Sequence, residues 1–195
     1  MGETQVKSKK RVSDFGEVYT ARKQVSDMLD LVRDQSYDPL ATFLEPACGN
    51  GNFLAEILRR KLSSVSTKRN ASANIEIEVL KCVSSIYGVD IQPDNVIEAR
   101  ERLYKIVRDL FGNVVFEGFW KSVRLILGKN IICGDTLAAV NSEGTALVFS
   151  EWLFKEDGSI VRREHRYMDM LNGLDTIGRY AGTYHYMKNY RAIVA

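Results

Sequence analysis

Histidine is nearly missing from this 195-residue chain: only His165 and His185 occur, and neither has a metal-ligand partner at useful spacing, so surface or packing roles are expected for both and no metal site is expected. Cysteine is sparse as well. Cys48, Cys82 and Cys133 share no metal-ligand spacing and lie in apolar contexts, which reads as buried thiols in a reducing cytoplasm rather than a disulfide framework. There are three prolines, Pro39, Pro46 and Pro93, and no two are adjacent. No apolar run approaches the roughly 20 residues of a membrane-spanning helix. The N-terminus carries charge without an apolar core, so no secretory signal is expected. The formal net charge is only +2, which excludes a strong single-sign field over the whole molecule.

What is present reads as one globular domain. Hydrophobic residues make up 45% of the chain and charged residues 27%. Residues 1–13 read as a disordered basic N-terminus containing Lys7-Ser8-Lys9-Lys10-Arg11, and 14–195 as a single domain with a basic, aromatic C-terminal extension over 153–195. Short charge runs such as 7–11 are usually solvated, although basic stretches also serve nucleic acid.

The pattern alternates between periods. A helix is expected over Arg22–Arg33, with Val25, Met28, Leu29 and Val32 on one face. A strand follows at Thr42–Glu45 and a helix at Asn52–Lys61. A polar excursion covers 63–74, then come a helix at Ile75–Ser84, a strand at Ser85–Asp90 and a helix at Asp94–Phe111 with Pro93 as an early position. An amphipathic segment at 114–127, a third strand at Asn130–Cys133 and a fourth at Ala146–Trp152 complete the middle of the chain. Asp157-Gly158 predicts a hairpin turn into Ile160–Arg166. Alternating strands and helices predict an α/β fold: a Rossmann-like, doubly wound, mostly parallel sheet with helices on both faces and ligands at the carboxyl ends of the strands.

Three strand ends carry the chemistry. Glu45-Pro46-Ala47-Cys48-Gly49-Asn50-Gly51 joins the first strand to a helix, and its glycines permit a tight turn and a close ligand approach beside a helix N-terminus. Asp90 closes the second strand and Asp135 follows the third. A strand-end carboxylate of this kind accepts both hydroxyls of a ribose. Asp90 lies 39 residues beyond Gly51, against about 20 in the simplest dinucleotide unit, and the excursion at 63–74 explains the difference. The loop also has Leu54 where a dinucleotide fingerprint has its third glycine. Glu45 is suited to a cationic group, which favours S-adenosylmethionine.

These residues resemble a known family. Phe15-Gly16-Glu17-Val18-Tyr19-Thr20, Leu44-Glu45-Pro46-Ala47-Cys48-Gly49-Asn50-Gly51-Asn52-Phe53, Tyr87-Gly88-Val89-Asp90-Ile91 and Cys133-Gly134-Asp135-Thr136-Leu137 look like the N6-adenine DNA methyltransferases of restriction–modification systems. The resemblance covers residues 15 to about 137. It implies S-adenosylmethionine as cofactor, with Tyr19 and Thr20 near the methionine carboxylate. Glu45, Ala47, Gly49, Asn50 and Gly51 would surround the methionine half and Asp90 would hold the ribose. Ile91 would pack on the adenine, and Asp135, Thr136 and Leu137 would meet its edge. It also implies DNA as substrate.

The chain departs from the family at the catalytic loop, an Asn/Asp-Pro-Pro-aromatic motif after the fourth strand, since no Pro-Pro pair exists here. That position reads Ser150-Glu151-Trp152. Glu151 is a candidate to accept from an amine and Trp152 to stack on a base, whereas the alternation of the segment suits a plain strand. The residues after the fourth strand are too few for a separate target-recognition domain, so none is expected among them. Residues 162–191 hold six Arg/Lys against three Asp/Glu, with five Tyr interleaved. Arg162, Arg163, Arg166 and Arg179 are therefore candidates for nucleic-acid contact, and an amphipathic surface for a partner chain is the alternative. The expectation is a methyltransferase subunit acting on DNA with a second methylase or specificity polypeptide. The alternatives are a non-catalytic cofactor-binding module and a methyltransferase for another substrate.

Overall fold

A computed structural model describes residues 7–15, 19–67, 75–112, 117–157, 159–174 and 177–185. The chain is mixed α/β. One sheet has four strands in the order β1 (Phe43–Glu45), β2 (Ile86–Asp90), β3 (Ile131–Asp135), β4 (Val140–Asn141). The first three run parallel and β4 returns antiparallel to β3. A second sheet, β5 (Val148–Phe154), β6 (Ser159–Arg166) and β7 (Arg179–His185), is wholly antiparallel.

Helices fill the crossovers. Before β1 come α1 (Lys9–Phe15), α2 (Arg22–Asp30) and α3 (Arg33–Tyr37). Between β1 and β2 lie α4 (Asn52–Thr67) and α5 (Ile75–Ser84), and between β2 and β3 lie α6 (Pro93–Phe111) and α7 (Glu117–Asn130). A short α8 (Tyr167–Leu171) follows β6. In α4, Leu54, Leu58 and Leu62 recur every fourth residue and are fully buried, which makes the helix amphipathic with its stripe on the core. In α6, Val96, Ala99, Leu103 and Val107 recur every third or fourth residue and are likewise buried. Pro93 opens α6 at its first turn, where its missing N–H costs nothing.

The parallel sheet has two faces of different character. Phe43 and Ile86 join the main core with the crossover helices. Tyr87 and Val89 point the other way and pack on Leu147, Phe149 and Tyr167. Tyr87 and Phe149 meet edge to face at 5.8 Å. Among the described residues that face is therefore covered by the start of the second unit and not by crossover helices, which corrects the expectation of helices on both faces. Consecutive strands placed side by side with crossovers of one hand keep their helices on one side.

Other expectations also change. The fourth strand forms, as β5, but it heads the antiparallel sheet and does not join the parallel one. The antiparallel return of β4 had no clear sequence signal in two residues. The helix expected over Arg22–Arg33 breaks at Leu31-Val32, where both amides fall back on carbonyls three residues earlier. Helix α4 runs on through Ser63–Thr67, into the stretch read as an excursion; residues 68–74 lie outside the described residues. So do Gly158 of the expected turn and Gly16, Glu17 and Val18. Of the N-terminal stretch read as disordered, residues 7–13 are among those described, and Lys9–Arg11 open a helix. Lys7, just ahead of α1, and Arg11 within it both reach the first turns of α6: Lys7 Nζ is 2.9 Å from Asp94 and 2.7 Å from Glu98, and Arg11 is 2.5 Å from Asp94. The run is thus split, because Lys9 and Lys10 face outward. Residues 1–6 lie outside the described residues.

Two polar side chains tie the units together. Asn130, fully buried, donates to the carbonyls of Ser84 and Ile86, each at 3.1 Å, and accepts from the Trp152 indole at 2.9 Å. The Tyr87 hydroxyl donates to the Ser150 carbonyl at 2.7 Å.

Candidate functional site

The carboxyl ends of β1, β2 and β3 open into one cleft of about 480 Å³, the size range of small-ligand sites. The sequence-predicted residues Tyr19, Thr20, Glu45, Ala47, Gly49, Asn50, Asp90, Ile91, Asp135, Thr136 and Leu137 all line it. Gly51, also expected at the site, is not among the lining residues and packs against Ala99 of α6.

The loop after β1 is shaped by its glycines. Gly49 (φ +51°) and Gly51 (φ +84°) occupy the left-handed region. A Cβ on Gly49 would come within 3.2 Å of the Tyr19 ring, and one on Gly51 within 3.0 Å of Ala99 on α6. The loop therefore lies flat between an aromatic ring and a helix, and only glycine permits both the conformation and the approach. Cys48 N–H donates to the Val89 carbonyl at 2.8 Å, which carries the β1–β2 pairing into the loop. Burial pushes the Cys48 thiol well above its usual range, so it is a packing group and not a nucleophile.

Asp90 is already in use. Its Oδ2 accepts from Gly49 N–H at 2.8 Å, and its Oδ1 accepts from Gln92 N–H at 2.9 Å and from Asn95 Nδ2 at 3.1 Å. A carboxylate offers about four acceptor positions, so one remains on Oδ2. The side chain holds the glycine loop against the second strand end as well as facing the cleft. Asp135 shapes a turn in the same way, accepting from the amides of Leu137 at 2.8 Å and Ala138 at 3.1 Å. Thr136 Oγ1 donates to the Pro46 carbonyl at 3.1 Å and closes the cleft between the first and third strand ends.

The electrostatics are one-sided. Glu45, Asp90 and Asp135 line the cleft, and among the described residues no Lys, Arg or His does. Burial raises the Glu45 pKa, opposed by a hydrogen bond from the Ala47 backbone. Asn50 Oδ1 is buried with no hydrogen-bond partner. Ile91 and Leu137 stand exposed at the lip, 52% and 98% respectively. Such a site accepts N–H and O–H donors, tolerates positive charge, offers apolar side chains to a flat ring, and disfavours phosphates.

Sequence reasoning missed Asn95, Gln92 and Asn52. Asn95 is the third residue of α6, and its polar type after a strand-end acid was the available signal. Asn52 Nδ2 donates to the Thr20 carbonyl at 3.2 Å, and its Oδ1 accepts from Arg102.

Glu151 and Trp152 are not among the residues lining the cleft. Trp152 is 9% exposed within the main core, bound to Asn130, which corrects its reading as a base-stacking candidate. Glu151 pairs across the strands with His165 at 3.3 Å and Arg163 at 3.9 Å. The arginine candidates do not form a free basic face either. Arg162 is 9% exposed, donates to Ser150 Oγ at 3.0 Å and pairs with Glu164 at 3.0 Å, so it is a sheet residue and not a phosphate contact. Arg179 is exposed and bound to the same Glu164 at 2.5 Å. Arg166 and Arg179 share a second hollow with Glu164 and Asp169. His185 closes β7; its side chain is outside the described residues.

Among the described residues no helix is long and apolar enough to cross a membrane, and no cluster of His, Cys, Asp and Glu suits a metal ion. Comparison with family models, curated proteins and solved structures finds no match to this chain.

Proposed function

We propose that the chain is a Rossmann-like, S-adenosylmethionine-binding subunit of an adenine-N6 DNA methyltransferase, completed by a second polypeptide. The observation that carries the reading is the cleft: three carboxylates and, among the described residues, no cation, at the ends of three successive parallel strands, beside a glycine loop that opens a helix. NAD brings two phosphates, which this lining would repel. S-adenosylmethionine brings an ammonium and a sulfonium, ribose hydroxyls and a flat base, and it supplies an electrophilic methyl group.

The residues fit those parts. Glu45 and the unpartnered Asn50 Oδ1 suit the ammonium, and the start of α4 suits the carboxylate. Asp90 keeps an acceptor position for a ribose hydroxyl, and Ile91 and Leu137 offer apolar contact to the base. What the chain contributes to methyl transfer is positioning.

The second polypeptide is inferred from what the cleft lacks. Among the described residues its lining holds nothing from β5–β7, the part of the chain where the resemblance would put the acceptor-binding loop. The same observation favours a second reading, a cofactor-binding module without catalysis of its own. Calorimetric titration with S-adenosylmethionine, with NAD as control, tests both. Binding of the first and none of the second is expected. Binding of NAD, or of neither, would remove the cofactor reading. Transfer of a labelled methyl group to DNA by the chain alone would remove the need for a partner.

A further inference from the structure

Asn95 is 1% exposed and still lines the cleft. Its Oδ1 accepts from Lys7 Nζ at 2.9 Å and from the Tyr19 hydroxyl at 3.0 Å. Its Nδ2 donates to Asp90 Oδ1 at 3.1 Å. Two donors on one side and a carboxylate on the other fix the amide's orientation, because the flipped amide would face donors with donors. Asp90 in turn holds the Gly49 amide at 2.8 Å. A continuous path therefore runs from Lys7 through Asn95 and Asp90 to the glycine loop.

The outer end of that path is anchored by α1. Lys7 binds Asp94 and Glu98, and Arg11 binds Asp94. These two cations hold the Asp94 carboxyl well below the usual carboxylate range. Exposed ion pairs are individually weak, but here two cations share two carboxylates and an amide on one helical turn, which makes a network. Nothing in the packing of α6 requires Asn95 to meet three separate parts of the chain. A residue serving only the helix start would bond locally.

We propose that Asn95 is a positioning residue that couples the docking of the basic N-terminal helix to the ligand cleft. With α1 docked, Asn95 holds Asp90 on the Gly49 amide and Tyr19 against the loop. With α1 released, that bond loosens and the cleft holds its ligand less well. The affinity half rests on the cofactor reading above; the coupling half does not.

The experiment uses the full chain and two readouts: amide hydrogen exchange at Gly49, followed residue by residue by NMR, and calorimetric affinity for S-adenosylmethionine. The variants are Asn95→Ala, Asn95→Asp and the double change Lys7→Met with Arg11→Met. Lys105→Met, which removes an exposed pair with Asp109 on the same helix, is the control. In Asn95→Ala and in the double variant, Gly49 exchange should quicken and affinity fall, each by about tenfold, within the usual range of coupling between sites. Asn95→Asp keeps an acceptor for Lys7 and Tyr19 but loses the donor to Asp90, so α1 should stay protected while Gly49 exchange rises. Gly49 exchange at the wild-type rate in the double variant, whose half-buried side chains lie outside the apolar core, would overturn the coupling. If Gly49 responds but the wild-type chain binds no S-adenosylmethionine, the cofactor reading falls and the coupling stands.

Discussion

At the scale of single residues, Trp152 and Asn130 show how one buried amide decides what a neighbour can do. Asn130 Oδ1 has the Trp152 indole as its donor, and its Nδ2 is spent on two strand-end carbonyls. Trp152→Phe keeps most of the apolar area and leaves that oxygen without a donor in a dry place. The expected cost is about 1–3 kcal/mol, the penalty of an unsatisfied buried group, read as a lower urea midpoint, with cofactor affinity unchanged. Lost affinity for the proposed ligand, S-adenosylmethionine, at intact stability would return Trp152 to the ligand site. The glycine loop and its two downstream acids were legible in the sequence because each follows an apolar strand and each demands a special residue type. Asn95 and Asn130 were not, because an asparagine's role depends on partners far away in sequence. For Asn95 these are Lys7, Tyr19 and Asp90; for Asn130 they are Ser84, Ile86 and Trp152.

At the scale of elements, α4 carries a charged group through the core. Lys61 is 0% exposed; its ammonium donates to the carbonyls of Asp38 at 2.7 Å and Ala41 at 2.5 Å and to Ser85 Oγ at 2.9 Å, and it sits 5.3 Å from the Phe43 ring. It pins the start of β1 to α4. Burial pushes its pKa down to about 8 from 10.5. A lysine whose folded pKa lies below its unfolded one disfavours its own protonated form in the folded state. The penalty is therefore fully present below about 8 and fades as pH rises towards 10.5, because the folded state sheds its proton first. Against Lys61→Met, the wild type should gain stability across that window in paired urea titrations, and a constant gap would show that Lys61 titrates at its ordinary value. The apolar positions of α4 and α6 announced themselves by spacing. The break after α2 did not, since Leu31 and Val32 are neither Gly nor Pro. There Arg60, reaching Asp30, Ser26 and Ser36, shapes the turn. The partner of β5 was equally hidden, because a run of β-formers says that a strand forms and not which sheet receives it.

At the scale of the whole molecule, the cleft-bearing strand lies at the edge of its sheet. In open α/β sheets, ligands sit where the connections from two neighbouring strands diverge, and here β1 has a neighbour on one side only among the described residues. Phe43 N–H donates to the Ser85 carbonyl at 2.9 Å, and the register pairs Phe43 with Ile86 and Glu45 with Gly88. Alternation along a parallel strand then turns the N–H and C=O of Leu44 outward. Leu44, the middle residue of β1, is itself 41% exposed. An open edge beside an apolar side chain is a receptor for another strand. A two-fold pairing of β1 with its own copy would be antiparallel and three residues long. It would aim the two clefts in opposite directions. Amide exchange on the chain alone should therefore show Phe43 and Glu45 protected and Leu44 open between them, at every protein concentration. Protection of Leu44 that grows with concentration would mean that a second copy covers the edge, and protection that does not would mean that the sheet is already complete within the chain.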